Sequence, residues 1–157
     1  MRCLVNFLPK CFSVMVEVGS RFGISTLIFA ERFGKVYCVD PWEYALPRNR
    51  EYEEFVKNTR HKNNIIPIRK RSLDGVKDFA DNSLDFVYID GLHDFENVKS
   101  DIEAWYQKVR IGGILGGHDY THKRGGQEVI KAVDTFFWRP DKTFPDSSWL
   151  VKKEMNS

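Results

Sequence analysis

The sequence predicts an α/β fold: a doubly wound, mostly parallel sheet with helices on both faces. Three observations predict it. Short apolar, β-branched runs alternate with stretches of helical period; a turn bracketed by two glycines joins the first run to the first helical stretch; and acidic residues recur directly after the runs. Strands separated by helices pair in parallel through crossover connections, and such sheets take ligands beyond the carboxyl ends of their strands. The residues that follow each strand therefore carry the chemistry.

The elements follow in order. The opening "MRCLVNFLPKCF" is apolar, but Asn6, Pro9 and Lys10 interrupt it short of a signal peptide, so it reads as a lead-in packing on the first strand. "VMVEV" (Val14 to Val18) is that strand, and Ile24, Leu27 and Ile28 share a helical face after it. "VYCV" (Val36 to Val39) is the second strand. Tyr52, Phe55, Val56 and Thr59 recur at helix spacing, "IIPI" (Ile65 to Ile68) is the third strand, and a short amphipathic piece surrounds Val76 and Phe79. "LDFVYID" is the fourth. Val98, Ile102, Trp105 and Val109 line the longest helix, which is expected to stop at "IGG" before a fifth strand in "GILGGHDY". Val129, Ile130, Val133, Phe136 and Phe137 line another helix, Pro140 to Pro145 reads as a loop, and "SWLVKK" is a closing strand.

At 157 residues the chain is expected to form a single domain over 1–157. A net charge of +2, with both signs interspersed, points away from nucleic acid and anionic membranes as partners. The basic clusters "RHKNN" and "RKR" read as a solvated edge. Nothing approaches the roughly 20 apolar residues of a membrane span. Cys3, Cys11 and Cys38 form no C-x-x-C pair and fit free thiols, so a cytoplasmic location is expected.

The turn reads "VEVGSRFGIST". Gly19 and Gly23 allow the backbone to approach a ligand, Ser25 or Thr26 is placed to satisfy amides where the helix starts, and a helix N-terminus suits an anionic group. The spacing is not the G-x-G-x-x-G of dinucleotide sites, which disfavours a pyrophosphate cofactor such as NAD. Asp40 ends the second strand, where an acid accepts the hydroxyls of a ribose. Turn and acid together predict a nucleoside ligand. Trp42 either stacks on the purine or covers the sheet edge.

With "VEVGSRFG" as a glycine-rich first motif and "VYCVD" as an acidic second, the chain resembles the class I S-adenosylmethionine-dependent methyltransferases, which have a Rossmann-like fold. The resemblance implies that the first motif (Glu17, Gly19, Ser20, Gly23, Ser25) holds the methionine and ribose side of S-adenosylmethionine. It also implies that Asp40 holds the ribose hydroxyls, and that Ser72 in "RKRSLDGV" lies near the adenine.

"YIDGLHDF" follows the fourth strand and "GGHDY" the fifth, so Asp90, His118 and Asp119 are expected on adjacent strand tips. That set suits a divalent cation: magnesium or calcium through the carboxylates, manganese or zinc through the imidazole as well. A hydrogen-bonded acid–base cluster without metal is the alternative. The layout is similar to that of the metal-dependent catechol-type O-methyltransferases, and closer to a small-molecule and sugar O-methyltransferase branch with "IDG-x-H-x-[YF]" and a later "HD". That branch implies a cofactor site that includes Asp90 and methylation of a hydroxyl on a sugar, polyketide or catechol-like diol. His93, at the offset where catechol-type enzymes carry a lysine, is placed to act as general base beside Asp90. A non-catalytic S-adenosylmethionine-binding module is the rival reading. A second copy of the chain is the expected source of any missing acceptor wall.

Overall fold

The computed structural model describes residues 1–43, 50–123 and 125–155. In chain order the elements are α1 (Arg2–Phe7), β1 (Val14–Val18), α2 (Ile24–Ala30), β2 (Lys35–Val39), α3 (Arg50–Thr59), β3 (Ile65–Ile68) and α4 (Ser72–Gly75), which runs into a 3-10 turn at Val76–Asp78. Then come β4 (Leu84–Ile89), α5 (Phe95–Lys108), β5 (Val109–Gly117), α6 (Gln127–Phe137), β6 (Lys142–Thr143) and β7 (Trp149–Lys152). The strands form one sheet in the order β3-β2-β1-β4-β5-β7-β6. The first five strands pair in parallel, and β7 runs antiparallel to β5 and β6.

Side-chain alternation along the strands makes two cores, one on each face. Val16 and Val18 of β1 and Val87 and Ile89 of β4 pack with Ile102, Trp105 and Val133 of α5 and α6. Met15, Val36, Phe86 and Tyr88 point the other way, onto Leu4 of α1, Phe29 of α2 and Phe55 of α3. Burying each of these side chains contributes about 1.5–3 kcal/mol. Asp94 starts α5 by accepting the amide of Asn97 at 3.1 Å, a side-chain cap for one of the helix's free N–H groups.

Two boundaries differ from expectation. Val109 belongs to β5, not to the helix: it pairs with Leu84, and the strand passes a register shift before Ile114 meets Phe86. Within Pro140 to Pro145, Lys142 and Thr143 form a two-residue edge strand on β7. No helix among the described residues is long and apolar enough to cross a membrane.

Candidate active site at the strand tips

The strand order reverses between β1 and β4, so the loops leaving their carboxyl ends diverge and open a crevice. The turn after β1 forms one wall. Gly19 adopts φ 87° and Gly23 φ 79°, both in the left-handed region that favours glycine. A Cβ on Gly19 would lie 2.2 Å from the carbonyl oxygen of Asp90, and one on Gly23 would lie 2.7 Å from Thr59 Cγ2. These glycines are thus required by the protein's own close packing.

Alternation along β1 turns Glu17 away from the crevice, and the side chain is fully buried. Its two oxygens accept the hydroxyls of Ser25 and Thr26. Those hydroxyls therefore tie α2 to β1 instead of capping helix amides; Gly23 is the N-cap, with no side-chain cap bond. Burial, partly offset by the two hydroxyls, pushes the Glu17 carboxyl up to about 7. The folded state then keeps a proton that the unfolded chain releases from about pH 4.5, so stability falls as pH rises toward 7. The loss attributable to this group is about 3 kcal/mol. Glu17→Gln is expected to remove this group's share of the slope, and urea denaturation at pH 4.5 and 7 measures it; parallel profiles in the two proteins would refute the assignment.

Asp40 follows β2 and is held by backbone donors, Arg21 N at 2.9 Å and Trp42 N at 2.6 Å. Burial raises its pKa against the pull of these amides. Trp42 is buried, packs on Tyr52 and Phe55, and donates its indole N–H to the carbonyl of Arg21 at 2.7 Å. It supports the turn from beneath and has no face free for a purine.

Two clefts share Gly19, Gly91 and Leu92. The larger, about 520 Å³, is walled by Val39, Pro41, Ser72, Leu73 and Asp101. The smaller, about 250 Å³, is walled by Arg21, Asp40, Glu51 and Asp90. Gly19, Asp40, Ser72 and Asp90 therefore line the crevice as expected residues. Glu17, Ser20, Gly23 and Ser25 line neither cleft: Ser20 and Gly23 belong to the turn, and Glu17 and Ser25 to the ends of β1 and α2 that it joins.

Ser72 is fixed by a hydrogen-bond chain: it accepts from Trp105 Nε1 at 2.8 Å and donates to Asp101 Oδ1 at 2.5 Å. Burial, offset in part by Ser72, raises Asp101 to about 6. Sequence reasoning passed over Asp101, although an acid between Val98 and Trp105 on the apolar face of a helix was a usable signal. It also passed over Glu51, which looks like an ordinary first-turn acid of α3.

Asp90 continues from the small cleft into a second cluster. His93 Nε2 lies 3.5 Å from Asp90 Oδ1 and 3.2 Å from Asp119 Oδ2. His118 Nδ1 lies 3.3 Å from Asp119 Oδ2 and 4.0 Å from Asp90 Oδ1. The hydrogen bond to Asp90, reinforced by the charges of both carboxylates, raises the pKa of His93 against the effect of burial. Burial raises that of Asp90 despite the two imidazoles. Ligand atoms of Asp90, His93 and Asp119 all lie within 4.8 Å of one another. Two carboxylates and an imidazole at that separation fit a divalent cation. The imidazole in this set is His93; the expected His118 stands beside it.

A family model described as a methyltransferase domain matches residues 16–120. The chain is 27% identical over 137 residues to the uncharacterized protein R132 of Acanthamoeba polyphaga mimivirus, covering 83% of this chain and 62% of that protein. It thus spans less than two thirds of that relative's length. A Corynebacterium glutamicum crystal structure is similar at TM-score 0.71 and 16% identity, over 99% of this chain and 79% of that one. Haemonchus contortus phosphoethanolamine N-methyltransferase 1, in complex with phosphoethanolamine and S-adenosylhomocysteine, is similar at TM-score 0.56 and 19% identity, over 74% of this chain and 24% of that one. At such identities the structures speak for the fold. The family match is of another order, since it runs from β1 through the tip of β5 and takes in Gly19, Asp40, Asp90 and Asp119; the chain belongs to the methyltransferase domain family.

Proposed function

We propose that the protein is an S-adenosylmethionine-dependent O-methyltransferase acting on a hydroxyl of a small molecule such as a sugar, polyketide or catechol-like diol, with a divalent cation. The observation that carries this reading is the double membership of Asp90, which lines the small cleft and also contacts His93. A ligand in that cleft ends beside a proton acceptor. The two clefts have the combined extent expected for a nucleoside cofactor, with Asp40 rigidly placed for hydroxyls.

In this reading S-adenosylmethionine brings a methyl group on a sulfonium, and a cation at Asp90 and Asp119 supplies a lowered pKa for the acceptor hydroxyl. The chain's own residues do the rest. Asp90 and Asp119 both lie against Nε2 of His93, at 3.5 and 3.2 Å, and their charges raise the basicity of that ring. Gly19 and Gly91, packed against each other, fix the distance between the cofactor wall and that ring.

Calorimetry on the intact chain tests the cofactor. One equivalent of S-adenosylmethionine or S-adenosylhomocysteine is expected to bind, and NAD is not; binding of NAD alone would end the reading. Turnover against a panel of sugars and catechols is expected to fall at least tenfold in chelator and return with magnesium or manganese. Unchanged turnover would remove the cation and leave the acid–base cluster.

A further inference from the structure

Glu51 sits in the first turn of α3, is only 3% exposed, and forms part of the wall of the small cleft. Its Oε1 accepts Nε of Arg21 at 3.2 Å. Its Oε2 is buried without a hydrogen-bond partner among the described residues. A buried carboxylate oxygen with no donor is costly, and a ligand hydroxyl is one group that supplies the donor. Asp40 shares the wall and feels the charge of Glu51, whereas Asp90 feels His93, His118 and Asp119. Arg21 joins Asp40 and Glu51 on that wall, its backbone amide on the first and its side chain on the second.

Each oxygen of Asp40 already accepts a backbone amide, and the side chain is almost wholly covered. A vicinal diol brings two hydroxyl donors, and although each Asp40 oxygen keeps a lone pair, a side chain only 2% exposed offers little surface on which to take both. We infer that Glu51 is a second ribose anchor: its unpaired Oε2 accepts one hydroxyl of the cofactor ribose while Asp40 accepts the other. The inference rests on the methyl-donor reading above. It assigns the Arg21–Glu51 pair a purpose as well. Arg21 occupies Oε1 and leaves Oε2 unpaired, at the same turn whose backbone amide holds Asp40.

The test is calorimetry of the full chain with S-adenosylhomocysteine and with its 2′-deoxy and 3′-deoxy analogues. In the wild type each missing hydroxyl is expected to cost about tenfold in affinity. In Glu51→Gln the Arg21 guanidinium recruits the amide oxygen, which leaves the NH₂ toward the cleft, where it cannot accept a hydroxyl. That variant is expected to bind S-adenosylhomocysteine about tenfold more weakly and to lose the penalty for one deoxy analogue while keeping it for the other. Glu51→Asp, which keeps the charge but withdraws the oxygen by one methylene, is expected to behave likewise. Equal weakening of all three ligands, or unchanged affinity in both variants with unaltered melting temperatures, would overturn the inference. Failure of the wild type to bind S-adenosylhomocysteine would instead remove the methyl-donor reading, and this inference with it.

Discussion

Gly19→Ala is expected to destabilise the fold by about 3 kcal/mol or more, to lower the melting temperature by on the order of 10 °C, and to abolish cofactor binding. Two costs combine. The residue sits at φ 87°, where a Cβ is strained by about 1–2 kcal/mol. The added methyl would also meet Asp90 O at 2.2 Å, Asp90 C at 2.5 Å and Gly91 Cα at 2.8 Å. All three are backbone atoms, so no side chain can rotate away, and forced backbone displacement costs about 1–3 kcal/mol. What must move is the peptide that carries Asp90, the residue common to the cleft and the carboxylate–histidine cluster. Gly91→Ala is the control, because its Cβ meets nothing closer than Asp101 Oδ2 at 3.7 Å. Thermal melts monitored by circular dichroism compare the two, and a Gly19→Ala protein that melts with Gly91→Ala would show that the turn yields easily.

That packing also explains how far the site was legible in the sequence. The placing of acids just beyond strand ends was readable, because topology alone sends them to one edge of the sheet; Asp40, Asp90 and Asp119 all lie there. Glu17 lies one residue inside its strand, and the two-residue period sends it under α2, where its neighbours are hydroxyls of the chain itself. The glycines were legible as a tight turn, but the partner they accommodate comes from β4 and from α3, segments remote in sequence. Trp42 had two open readings, and only the three-dimensional course of α3 decides between them.

The fold itself was more legible, since β1 and β3 occupy the runs their β-branched residues mark. Val109 misled because it stands four residues after Trp105 and continues the helical stripe. Helical spacing and the first residue of a buried strand look the same there, and the pairing with Leu84 decides it. β6 has no signal of its own: both residues are exposed and hold strand geometry only through β7.

The largest catalytic effect is expected at His93. Its Nε2 is the one imidazole nitrogen within 3.5 Å of both Asp90 and Asp119 among the described residues, and it faces solvent enough for an acceptor to reach it. Glutamine in its place keeps a hydrogen-bonding group at similar reach but cannot take a proton at neutral pH. His93→Gln is therefore expected to lower kcat by about 10²–10⁴-fold. The affinity for S-adenosylhomocysteine should stay within a few-fold, because His93 lines neither large cleft. His118→Gln should cost less than about tenfold, its nitrogen standing 4.0 Å from Asp90. Manganese binding read by electron paramagnetic resonance separates base from ligand. A proton acceptor leaves the ion's affinity nearly intact when replaced, while a metal ligand lowers it together with turnover. Retained turnover in His93→Gln would return the residue to a bridge between two carboxylates, and the proton would then have to leave through Asp119 or water.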